Sequence, residues 1–210
     1  MSRLLLFLLI AATAAQAQAP DYPGRKDFES YTGSPSFAGY LQQAFNAIEP
    51  AALKAECPTL KVVSLDSYSM LDPPTFVIRD NVKTIDTGRW ISRVTVDRCG
   101  TTFKRRALMV ALPGKNLVQP IWLLPGDFKG NLSLERDARK IVYQAILVQA
   151  HCSANETPVV VDIKAAQVKE ARWEEDWTSL ACGKTVTTHV VYIRDDTGTT
   201  ISAEIKRAAP

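Results

Sequence analysis

The chain is poor in the residues from which most catalytic centres are assembled. Only two histidines, His151 and His189, occur in 210 residues. A Ser-His-acid catalyst takes its base from histidine, and no Gly-x-Ser-x-Gly elbow is present to seat a nucleophile. The cysteines stand far apart with no Cys-x-x-Cys spacing, which argues against a zinc ligand set. Gly183-Lys184-Thr185 looks like the end of a phosphate loop, but Thr178 stands where that motif needs glycine. The formal net charge is only +3, too weak a balance to point to nucleic acid. No internal apolar run reaches the roughly 20 residues that a membrane-spanning helix needs. We therefore expect no catalytic residue, no metal and no cofactor, and lean away from an enzyme.

What is present begins with a targeting segment. Arg3 supplies a positive start, residues 4–12 are unbroken apolar, and residues 14–19 carry Ala-x-Ala sites. This is the pattern of a secretory signal peptide. Cleavage after Ala17 is preferred over Ala19, which makes residues 1–17 the signal and leaves no transmembrane segment. The expected location is the bacterial periplasm or the extracellular space. All four cysteines, Cys57, Cys99, Cys152 and Cys182, lie beyond the cut, and an even count in an exported chain implies two disulfides.

The strongest internal signal is a repeat. Arg89-Trp90 and Cys99-Gly100 recur as Arg172-Trp173 and Cys182-Gly183 with the same spacing. Such self-similarity points to one structural unit used twice. A helical stripe at Phe37, Tyr40, Leu41, Ala44, Phe45 and Ile48 precedes the first copy, opened by Ser34-Pro35. A second helix starts at Ser133, with an expected buried stripe at Leu134, Ala138, Ile141, Val142, Ala145, Ile146 and Val148. The expected fold is α+β: two tandem copies of a helix followed by a three-stranded antiparallel sheet, each stapled by a disulfide. In that reading residues 18–33 are an extended leader, 34–118 the first repeat, 119–132 a connector and 133–210 the second repeat. Residues 66–75 carry Pro73 and Pro74 and are expected to loop out. The repeat pairs Cys57 with Cys99 and Cys152 with Cys182. Bridges joining the two halves are the alternative.

Two clusters carry possible chemistry. Lys104-Arg105-Arg106 reads as a solvated strand face guarding an edge, or as a contact point for an anion. Trp173, Glu175 and Trp177 project to one face of a strand. Two indoles flanking a carboxylate suit sugar stacking with an acid to hydrogen-bond it, or else a half-buried sheet face.

The segment Trp173-x-Glu175-x-Trp177, then Cys182-Gly183, then Asp196-Thr197-Gly198-Thr199 resembles the C-terminal portion of uncharacterised exported proteins of Gram-negative bacteria. The resemblance implies an exported compartment and a continuous fold, and it brings no functional residue. The functional expectation is a non-enzymatic periplasmic or secreted binding or envelope-associated module, with a protein or envelope ligand as partner. One alternative is a carbohydrate-active hydrolase or sugar-binding protein using Trp173, Glu175 and Trp177. Another is a secreted effector or inhibitor of another protein.

Overall fold

A computed structural model describes residues 21–115 and 117–204; residues 1–17, expected to be a signal peptide, lie outside them. The fold is α+β, with two four-stranded antiparallel sheets and two disulfides. The first half runs α1 (Arg25–Thr32), α2 (Pro35–Ile48), α3 (Ala51–Glu56), β1 (Leu60–Arg79), β2 (Val82–Arg98), β3 (Thr101–Leu112) and β4 (Leu117–Trp122). The second runs α4 (Leu132–Ala150), β5 (Val159–Val168), β6 (Arg172–Ala181), β7 (Lys184–Asp195) and β8 (Gly198–Glu204). Each sheet is a simple meander in chain order.

The two central hairpins share one register. Trp90 faces Met109 across β2–β3, and Trp173 faces Tyr192 across β6–β7. Both turn at a Cys-Gly pair with positive φ, 47° and 83° at Cys99-Gly100, 51° and 70° at Cys182-Gly183. Positive φ at both central residues gives the two-residue hairpin turn whose twist suits antiparallel strands. The disulfides join Cys57 to Cys99 and Cys152 to Cys182, over separations of 42 and 30 residues. Each ties the end of a helical segment to a hairpin turn, and in the chain-entropy account contributes about 3–4 kcal/mol.

Several expectations need correction. Each sheet has four strands, because β4 and β8 each add an outer strand. The leader 18–33 is not simply extended: residues 25–32 form α1, held by the fully buried Phe28. The proline-bearing residues 66–75 do not loop out. They belong to β1, which carries its prolines at a bulge between Asp72 and Thr75. An edge strand tolerates proline because one row of its N–H groups has no ladder partner. Pro120 sits on the other edge strand, β4, for the same reason, so the connector is shorter than expected. In α4 the N-cap is Asn131, whose side chain accepts from the Leu134 amide at 2.9 Å, rather than Ser133. The buried face of α4 is Glu135, Ala138, Val142, Ile146, Leu147 and Ala150, and Ile141 and Val148 face outward.

Two cores result. In the first, α1 and α2 cover Trp90, Val94, Ala107 and Met109 of the sheet. In the second, α4 and the connector residues Leu124 and Phe128 cover Trp173, Trp177, Val190 and Tyr192.

Candidate functional site

Besides the short α3, two additions set the first half apart from the second among the described residues. One is α1. The other is the length of the β1–β2 hairpin, which continues past the Trp90 row to a tip at Asp80-Asn81. Between these additions, α2 and the β4 edge lies an apolar cleft of about 520 Å³. Its wall is aromatic: the Tyr31 ring lies 4.9 Å from Phe37 and 6.4 Å from Phe76, and Phe37 lies 6.0 Å from Tyr40. Val82, Ile85, Leu117 and Val118 complete the apolar lining.

The mouth is polar. Lys83 Nζ of the hairpin pairs with Asp27 of α1 at 2.6 Å, which ties the two additions together. Tyr40 donates its hydroxyl to the Val118 carbonyl at 2.7 Å, joining α2 to β4. Burial pushes Tyr31 up to about 12 and raises Tyr40 as well, so both phenols stay protonated at ordinary pH. The lining thus offers apolar contact, neutral hydroxyls and one ion pair. Val82 and Leu117 leave much apolar surface in water, and contiguous exposed apolar surface marks interaction sites.

Trp173, Glu175 and Trp177 are brought together, but under α4 and not at a surface. They are 6%, 0% and 0% exposed. Trp173 stacks on Tyr192 with centroids 4.8 Å apart and an interplanar angle of 4°. Glu175 accepts from the Trp177 indole at 3.0 Å and from the Lys129 amide at 3.0 Å. The indole faces are taken by protein, so this carboxylate anchors the connector to β6. At the matching place in the first half, the Trp90 indole donates to Ser92 at 3.1 Å.

His189 lies on the opposite face of the second sheet, its Nδ1 at 2.9 Å from Asp176 and its Nε2 at 3.3 Å from Glu174. With both ring nitrogens taken by carboxylates, neither is aimed at a hydroxyl or thiol nucleophile. Lys104-Arg105-Arg106 is not a solvated edge. It lies on β3, an inner strand, and Arg105 and Arg106 are buried on opposite faces. Arg105 donates to the Val161 carbonyl of the second sheet at 2.8 Å.

The cleft itself went unread in the sequence. Its residues come from four separate segments, and no short motif encodes their meeting. The usable signal was the surplus length between Cys57 and Trp90 relative to the interval between Cys152 and Trp173. No protein-family model, curated protein or solved structure matches this chain.

Proposed function

We propose that the chain is an exported, non-enzymatic binding module of the periplasm or extracellular space, and that the cleft beside α1 is its ligand seat. One observation carries the reading: α1 and the long β1–β2 hairpin, which the second half lacks among the described residues, enclose an apolar, aromatic-walled cleft together with α2 and β4. Ligand pockets are characteristically apolar with a few placed polar groups. Two disulfides fit an oxidising compartment, and the segment at residues 1–17 supplies the export signal. The ligand expected from the lining is a ring or short alkyl group, borne by an envelope molecule or by a partner protein, with a hydroxyl or amide flank for the rim. A hydrolase or sugar-binding role for Trp173, Glu175 and Trp177 draws less support, because those side chains are spent on the core.

N-phenyl-1-naphthylamine, a neutral apolar fluorophore, tests the reading. Saturable one-to-one binding is expected, and Val82→Glu, which sets a charge on the exposed rim, should weaken it about tenfold, equivalent to about 1.4 kcal/mol. Absence of saturable binding, or equal affinity in the variant, would overturn it.

A further inference from the structure

A second cavity, of about 300 Å³, lies on the face of the first sheet away from α2, where the connector crosses β3. Its lining includes Arg93, Lys104, Arg106 and Lys129, against the carboxylates of Asp66 and Asp127. Arg93 and Arg106 are direct cross-strand partners of β2 and β3. Like charges placed directly opposite each other on one sheet face repel, so this pair is an arrangement that needs an explanation.

The local anions answer it only in part. Arg106 is 2% exposed. Its Nη1 lies 3.6 Å from Glu135 and donates to the Leu124 carbonyl at 3.4 Å, and its guanidinium rides over the Phe128 ring. Glu135 is shared, since Arg139 holds its other oxygen at 2.7 Å. Arg106 Nε has no hydrogen-bond partner among the described residues. Arg93 is met by a neutral group, the Ser69 hydroxyl at 2.7 Å. Asp66 accepts from Ser64 and Thr95, and Asp127 pairs with Lys104 at 3.3 Å. Lining cations therefore outnumber lining carboxylates, and the buried Arg106 Nε–H, like the Glu135 Oε2 that lies 3.6 Å from Arg106 Nη1, is left without a hydrogen-bond partner among the described residues.

We propose that this recess is an anion site, and that it takes a phosphate or sulfate group between Arg93 and Arg106. Guanidinium groups bind such oxyanions with planar, directed N–H donors. The recess is small and overhung by the connector, so the group it takes is terminal, as in a free oxyanion or a monoester. The site is separate from the apolar cleft and stands or falls without it.

The test is a titration of the processed full-length chain with inorganic phosphate at constant ionic strength, following the arginine Nε–H signals by ¹⁵N NMR. The Arg93 and Arg106 signals should shift together and saturate. Arg93→Gln should weaken binding at least tenfold, and Lys104→Gln, at an exposed position, gives a second reading that leaves the core alone. Vesicles containing phosphatidic acid, compared with phosphatidylcholine, report whether a lipid headgroup also carries the group. Cosedimentation lost in Arg93→Gln supports a lipid-borne phosphate; binding of phosphate without cosedimentation supports a free anion. Unsaturating shifts, equal shifts with chloride, or unchanged affinity in both variants would overturn the site.

Discussion

Glu175 shows how one buried carboxyl shapes the second core. Burial raises its pKa, opposed by hydrogen bonds from the Lys129 amide and the Trp177 indole. A carboxyl whose folded pKa exceeds the unfolded value of about 4.3 keeps its proton longer in the fold. Its contribution to stability is full below that unfolded value and is lost as pH rises through the folded pKa. Glu175→Gln removes this titration. The stability advantage of the parent over the variant should thus be largest near about pH 4 and shrink toward about pH 7. Urea unfolding of both proteins at the two pH values measures it, and a gap that widens with pH would contradict the assignment. The residue was legible in the sequence as a carboxylate between two indoles on one strand face. Whether that face met solvent or α4 was not, because alternation gives a side and not what covers it.

At the scale of elements, regular signals were legible and irregular ones were hidden. The α2 stripe and its Ser34 cap appear where the spacing puts them, with the Phe37 amide donating to Ser34 at 3.2 Å. The Cys-Gly turns and the sulfur pairing followed from the repeat. Helix α1 was missed because it buries a single side chain, Phe28, so it shows no stripe. The two ends of β1, residues 60–65 and 76–79, read as strand, and only residues 66–75 between them were hidden, because Pro73 and Pro74 break a strand pattern unless the strand is an edge, which is a fact of topology. Phe28 packs edge-on against Trp90 at 5.0 Å and Tyr68 at 4.9 Å. Phe28→Ala should therefore cost about 3–5 kcal/mol. It should also release α1, seen as faster hydrogen exchange over residues 25–32 and weaker fluorophore binding in the cleft. Unchanged exchange there would mean that the Asp27–Lys83 pair and the Tyr31 ring contacts hold α1 without Phe28.

On the scale of the whole molecule, the connector stitches two cores into one body. The Gly126 amide donates to Lys104 at 3.0 Å, and the Asp127 amide to Ile163 at 2.8 Å, so adjacent residues reach the two sheets. Gly126 has φ +68°, and a Cβ there would lie 2.2 Å from the Ile163 carbonyl oxygen. Gly126→Ala should cost at least about 2 kcal/mol through backbone strain and forced separation. It should also split a single denaturation transition into two. A single transition within about 0.5 kcal/mol of the parent would show that the junction tolerates the change. The two halves share hairpin register, turn geometry and disulfide placement. We propose that the cleft, built where the first half departs from that shared arrangement, is the ligand seat. Hydrogen exchange of the full chain with and without N-phenyl-1-naphthylamine tests this most directly. Protection confined to residues 25–40, 76–85 and 117–118 is the predicted result. Protection centred on residues 132–204, or none at saturating probe, would contradict it.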